Sequence, residues 1–187
     1  MIQRLIGSRP GDRFNANRIN REPSPLLAVG LPWVSVMLLS MVSFSPIIAS
    51  APVLPPLSFM ALIAWRLLRP YMLPVWAGAP LGAFDDLYSG QPFGSAILLW
   101  SLAMILIEIV DIRIRYRNFL QDWLVAAAIF AAYLFLTALI ALGAQGAFAL
   151  HTVLPQIVLT ILVYPAMTGL VALLDRLRLS RVRTAGV

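Results

Sequence analysis

Cysteine is absent from this chain of 187 residues, and so is lysine. The first absence excludes disulfides, thiol nucleophiles and thiolate metal ligands. Histidine occurs once, at His151, which excludes any site that needs two. No phosphate-binding loop, haem-attachment motif or metal-ligand spacing occurs. His151 falls in a short uncharged stretch and has no nucleophile to serve. No catalytic residue, cofactor site or metal site is therefore expected. Charge is also scarce: 12% of residues are charged and 60% are hydrophobic, with a mean hydropathy of +0.86. That balance is too apolar for a soluble domain of this size and fits a polytopic membrane protein. Little chain is left over, so one compact membrane domain is expected.

The charge present is one-sided. All 14 basic residues are arginine and the net charge is +6. Beside hydrophobic segments such arginines report orientation in a membrane rather than nucleic-acid binding. Residues 1–25 carry Arg4, Arg9, Arg13, Arg18 and Arg21 among Gly, Asn, Pro and Ser. Apolar residues there are too sparse for a signal-peptide core, so this is a solvated basic tail. Residues 26–175 form the membrane domain, and 176–187 form a second basic tail. Six apolar segments are expected: Leu26–Ile48, Leu57–Leu68, Met72–Phe84, Pro92–Val110, Trp123–Leu142 and Val153–Leu174. The second and third are short against the roughly 20 residues a crossing helix needs. Either each crosses a thin region or the two make a broken hairpin; both return the chain to the same side. With the N-terminus inside, both tails, the 66–71 turn and the 111–122 loop hold every arginine, and the three outer loops hold none. The positive-inside rule thus expects six crossings with both termini cytoplasmic. Trp65, Tyr71, Tyr116 and Trp123 gather at the inner boundary as an aromatic belt would. The pairs Ala127/Ala131 and Ala128/Ala132 suggest a close-packing face on the fifth span.

One stretch organises the rest: Gly78-Ala-Pro-Leu-Gly82-Ala-Phe-Asp85-Asp86-Leu-Tyr-Ser-Gly90-Gln-Pro92-Phe-Gly94. Gly78, Gly82 and Asp86 are spaced four apart and share a helical face. Glycines at that spacing let another helix approach closely, and an acid continuing the stripe faces protein, not lipid. Alternatively, Asp85 and Asp86 end the helix at the water interface; position leaves open which acid points inward. Neighbouring acids diverge by about 100° on a helix and make no dyad. The expected receivers of Asp86 are N–H groups near Gly94 to Ala96, which lack intrahelical partners at a helix start. Arg66 and Glu108 lie at matching depth near the inner boundary, where an interhelical ion pair is expected.

Gly82-x-x-x-Asp86-Leu87, followed by Gly90-x-Pro92-Phe93-Gly94 opening an apolar helix, resembles the rod shape-determining protein MreD family. The resemblance covers roughly residues 26–175, including the proline-rich turn and a short second span ending in Arg69-Pro70. It implies an all-α bundle of six transmembrane helices, similar to the substrate-binding subunits of energy-coupling-factor vitamin transporters. It also implies a non-enzymatic subunit of the bacterial elongation machinery in the inner membrane. Implied partners are MreC, MreB, RodA and a class B penicillin-binding transpeptidase. Asp86 matches the family acid better than Asp85. The rival reading is a small-molecule binder for a transporter. Such subunits carry Ala-x-x-x-Ala on the first span, where this chain has Ala28 followed four residues on by Pro32.

Overall fold

The computed structural model describes residues 25–42, 54–89, 92–114, 118–145 and 150–179. Among the described residues all regular structure is helical. Six α-helices follow one another: α1 (Pro25–Val42), α2 (Leu57–Leu68), α3 (Gly78–Tyr88), α4 (Ser95–Arg113), α5 (Phe119–Gln145) and α6 (Leu150–Leu179). A 3-10 turn at Val75–Ala77 leads into α3. Three stretches are long and apolar enough to cross a membrane: Ser95–Arg113, Phe119–Ala141 and Val153–Arg176. Gly30–Val42 and Leu57–Leu68 are shorter apolar helices.

The shortest apolar helix is the centre. Every residue of α2 from Ser58 to Leu67 is buried. A helix that is apolar all round is stable only when surrounded, and α1, α4, α5 and α6 pack about α2. Phe59 of α2 stacks on Tyr133 of α5 with centroids 4.1 Å apart. It also meets Trp100 of α4 at 5.7 Å and Phe130 of α5 at 5.9 Å. Phe130 in turn reaches Tyr164 of α6 at 5.1 Å. In lipid, where apolar burial from water no longer drives helix against helix, packing of this kind holds the bundle. With 12 residues, α2 is about 18 Å long, well short of a hydrocarbon core of about 30 Å. Its irregular flanks are tolerated because protein, not lipid, covers the helix.

The third apolar segment is displaced from its hydropathy bounds. Pro74 is held extended at ψ 155, so the helix cannot begin at Met72. The chain instead enters by the 3-10 turn, and α3 runs from Gly78 to Tyr88. Pro80 sits in its first turn, where a missing N–H withdraws no helical bond. Asp85 and Asp86 therefore lie within α3 instead of ending it. On the next helix, Gly94 takes φ +97 and α4 starts at Ser95, not Pro92. Helices α5 and α6 run past both ends of their apolar cores, because length here follows packing and backbone bonding as well as hydropathy.

Two readings of surface residues are corrected. Trp65 is fully buried, and its Nε1–H donates to Ser35 Oγ of α1 at 2.9 Å. It belongs to the core, since the neighbours of a central helix cover even its last turn. Tyr71 is fully exposed, Trp123 donates to the Ile161 carbonyl at 3.3 Å, and Tyr116 lies outside the described residues. Ala128 and Ala132 are exposed, and Ala127 and Ala131 are only half-buried. Helix α5 packs through Ala126, Ile129, Phe130 and Tyr133 instead, because its aromatic rings reach Phe59.

Candidate functional site

The α3–α4 hairpin is built on backbone contact. A Cβ at Gly82 would lie 2.6 Å from the Ala96 carbonyl oxygen, and one at Gly78 would lie 2.8 Å from that of Trp100. Ala96 and Trp100 are themselves four apart, so two helical rows face each other with no side chain between them. Only glycine permits that approach. Asp86 is the next position on the row and is 6% exposed.

Its carboxylate caps α4. Oδ2 accepts the Gly94 N–H at 2.9 Å and the Ile97 N–H at 3.3 Å. Oδ1 accepts the Ala96 N–H at 2.9 Å and stands 3.4 Å from Ser95 Oγ. These amides are the ones a helix start leaves without intrahelical acceptors. They also carry the positive end of the helix dipole, which favours an anion. Gly94 takes its left-handed conformation so that its own N–H joins the set. The turn therefore closes around a carboxylate supplied from eight residues earlier in the chain. Pro92 and Phe93 lie on its exposed outer surface, and Gly90 lies outside the described residues.

Asp85 points elsewhere. It is 5% exposed and accepts the Ser58 Oγ–H of α2 at 2.8 Å. The two neighbouring acids thus engage different helices. Among the described residues, neither shares its hydrogen bonds with a second acid, and the pair ties α3 to α2 and α4. Ser58 was not singled out from sequence. Its signal was there: apart from the indole of Trp65, Ser58 and Arg66 are the only polar side chains in Leu57–Leu68.

At the opposite end of the same helices, Arg66 of α2 forms an ion pair with Glu108 of α4. The Arg66 side chain is 5% exposed, and its Nη2 also lies 3.7 Å from Asp111 Oδ2. One turn on, Arg69 donates through Nε at 3.0 Å and Nη2 at 2.7 Å to Asp175 Oδ2 of α6. Sequence reasoning missed this second pair, although Asp175 is the only acid after Asp122. Among the described residues, no group of three or more His, Cys, Asp and Glu is placed to hold a metal ion.

Comparison with known proteins gives one match. The family model described as rod shape-determining protein MreD covers residues 26–176. No curated protein and no solved structure matches the chain, so nothing there supports the vitamin-transporter reading.

Proposed function

This chain belongs to the family of rod shape-determining protein MreD, a structural membrane-protein family with a role in rod shape, and we propose that it serves as a non-enzymatic scaffold subunit of the elongation machinery in the bacterial inner membrane. In this reading it organises lateral peptidoglycan synthesis. Its partners are MreC, MreB, RodA and a class B penicillin-binding transpeptidase. The membrane domain is 26–175, crossing six times, with basic tails 1–25 and 176–187 both cytoplasmic. The segregation of arginine supports that orientation.

The observation that carries the proposal is the family match over residues 26–176, a region that contains the capped α3–α4 hairpin. Asp86, Gly78 and Gly82 give that hairpin one fixed shape. A scaffold needs a fixed surface and no reacting group, and Asp86 spends its carboxylate on backbone amides. Gly78, Gly82, Asp85, Asp86, Gly90, Pro92 and Gly94 are then positioning residues for a partner on the outer side.

The test is depletion of the chain in its rod-shaped host, with fluorescent wall precursors and co-purification of the tagged protein from native membranes. Depleted cells should round up and lose lateral incorporation, and the tagged chain should recover elongation proteins. Rods with normal lateral incorporation after depletion would refute the reading.

A further inference from the structure

Two helices of the bundle are short, and they differ in what surrounds them. Protein covers α2 on all sides. Helix α3 stands at the edge, packed on α1, α4 and the 3-10 turn, with Trp76, Pro80 and Leu87 exposed along that edge. Both ends of the edge are set by backbone that lipid does not accept. At one end the connection 69–74 is non-helical, with Arg69 half-exposed and Tyr71 fully exposed. At the other, 92–94 is non-helical and Phe93 is exposed. Irregular backbone facing lipid would strand its N–H and C=O groups, so both connections lie outside the hydrocarbon.

Helix geometry gives the distance between them. Val75–Ala77 and Gly78–Tyr88 hold 3 and 11 residues, which cover about 22 Å at 3-10 and α-helical rise. Helix α4 supplies a second measure. Its Glu108 side chain is 43% exposed, and an exposed carboxylate belongs at or beyond the hydrocarbon edge. From the cap residue Gly94 to Glu108 the helix advances about 21 Å. Aromatic rings mark the same two levels. Trp76 lies 5.6 Å from Trp33 at one end, and Tyr88 lies 4.9 Å from Phe84 at the other. Tryptophan and tyrosine are the residues that settle among headgroups. Against a hydrocarbon core of about 30 Å this edge is short by about 8 Å, and tilting only reduces its reach. The α5–α6 side differs: Phe119–Ala141 and Val153–Arg176 hold 23 and 24 residues, about 35 Å of apolar helix, enough to cross with a tilt.

We propose that the α3–α4 edge is a lipid-facing surface that thins the bilayer beside it to about 22 Å, while the α5–α6 side meets a bilayer of ordinary thickness. The partner of this surface is phospholipid with compressed, disordered acyl chains. The bundle thereby imposes a step in membrane thickness across its own width, and phospholipids with shorter chains collect on one side of it. The inference rests on the membrane-spanning reading of residues 26–175 and not on the role in cell shape.

The absence of native cysteine permits single spin labels in the full chain. The labelled protein is reconstituted in dioleoylphosphatidylcholine, and depth is read from collisions with oxygen and with a nickel chelate. Trp76 and Leu87 are both exposed and eleven positions apart, about 17 Å along the edge. In a core of about 30 Å their depths below the two boundaries must sum to about 13 Å. In the thinned bilayer the sum is about 5 Å, which is the expected result. Leu98 and Ile109 of α4, also exposed and eleven apart, should give the same sum, so the test stands even where Trp76→Cys does not fold. A label at the exposed Leu162 of α6 should read near the bilayer centre. Both sums should hold when the acyl chains are lengthened, because the protein sets the boundary. Sums near 13 Å, or sums that grow with chain length, would overturn the thinning while a deep Leu162 kept the spanning reading intact. A water-accessible Leu162 would overturn the spanning reading and the proposal with it.

Discussion

Replacing Asp86 separates the cap from the charge that makes it strong. Asp86→Asn keeps the shape and one acceptor oxygen. Asp86→Leu keeps neither. In the native protein the carboxylate receives two N–H groups at 2.9 Å and a third at 3.3 Å. The asparagine amide turns an –NH₂ toward at least one of those donors, so roughly half the bonds and the dipole term are lost. With hydrogen bonds to a charged group worth about 1.5–3 kcal/mol and the dipole up to about 2 kcal/mol, Asn should destabilise by about 2–3 kcal/mol. Leu leaves buried amides with no acceptor, each costing about 1–3 kcal/mol. Water reaches part of the turn, since Pro92 and Phe93 are exposed, so a total of about 4–5 kcal/mol is expected. The assay is unfolding of the purified variants in mixed micelles, read by tryptophan fluorescence, alongside partner recovery and cell shape at matched expression. Positioning predicts a graded loss, mild for Asn and severe for Leu. Equal and complete loss of cell shape with stability and partner recovery intact would refute it and assign the carboxylate a chemical task.

Other outcomes can be measured on the same preparations. Gly82→Ala should destabilise by about 1–3 kcal/mol, because its Cβ would meet backbone at 2.6 Å and the helices must part. Gly169→Ala, with nothing within 4 Å, should be neutral or stabilising by up to about 1 kcal/mol; equal effects would refute the close-approach account. Arg66→Leu should lower folded yield, since it removes the guanidinium that Glu108 and Asp111 share, and the Arg66→Glu/Glu108→Arg exchange should recover part of it. Glu108→Gln should be milder because Asp111 still faces the guanidinium. The chain has no native cysteine, so single cysteines at Ser50, Ala147 and Phe93, the last 73% exposed, should react with an impermeant thiol reagent from outside. Labelling at Ser180 with protection of those three would reverse the proposed orientation.

Helical class was legible because hydropathy alone exposes apolar runs, and the α2 bounds follow from the prolines before it and Arg69-Pro70 after it. The spacing of Gly78, Gly82 and Asp86 was legible for a different reason: a four-residue row has only one face to share. Trp65 misled because a tryptophan beside arginines reads as interfacial. Periodicity cannot identify a central helix, which carries no polar face to reveal its surroundings. The alanine pairs of α5 misled similarly, since small residues permit close approach without requiring it. Ser58 and Asp175 went unread because their partners lie 27 and 106 residues away, beyond any local spacing rule.

The arrangement of polar contacts explains how so short a central helix is held. Helix α2 is tied near its start by Ser58 to Asp85 and near its end by Arg66 to Glu108. The first tie reaches α3 and the second reaches α4, which Asp86 and the glycine row bind to α3. The three helices therefore close into a loop of contacts, with Phe59 against Trp100 between the two ties. Breaking one tie leaves the others in place, so single losses should weaken the unit without letting α2 slide. Register shift of α2 would require the Ser58–Asp85 bond and the Arg66–Glu108 pair to fail together. A helix too short to be anchored by its own length in lipid is thereby fixed in depth by polar groups at its two ends. That is a physical reason for placing costly charges inside an apolar bundle.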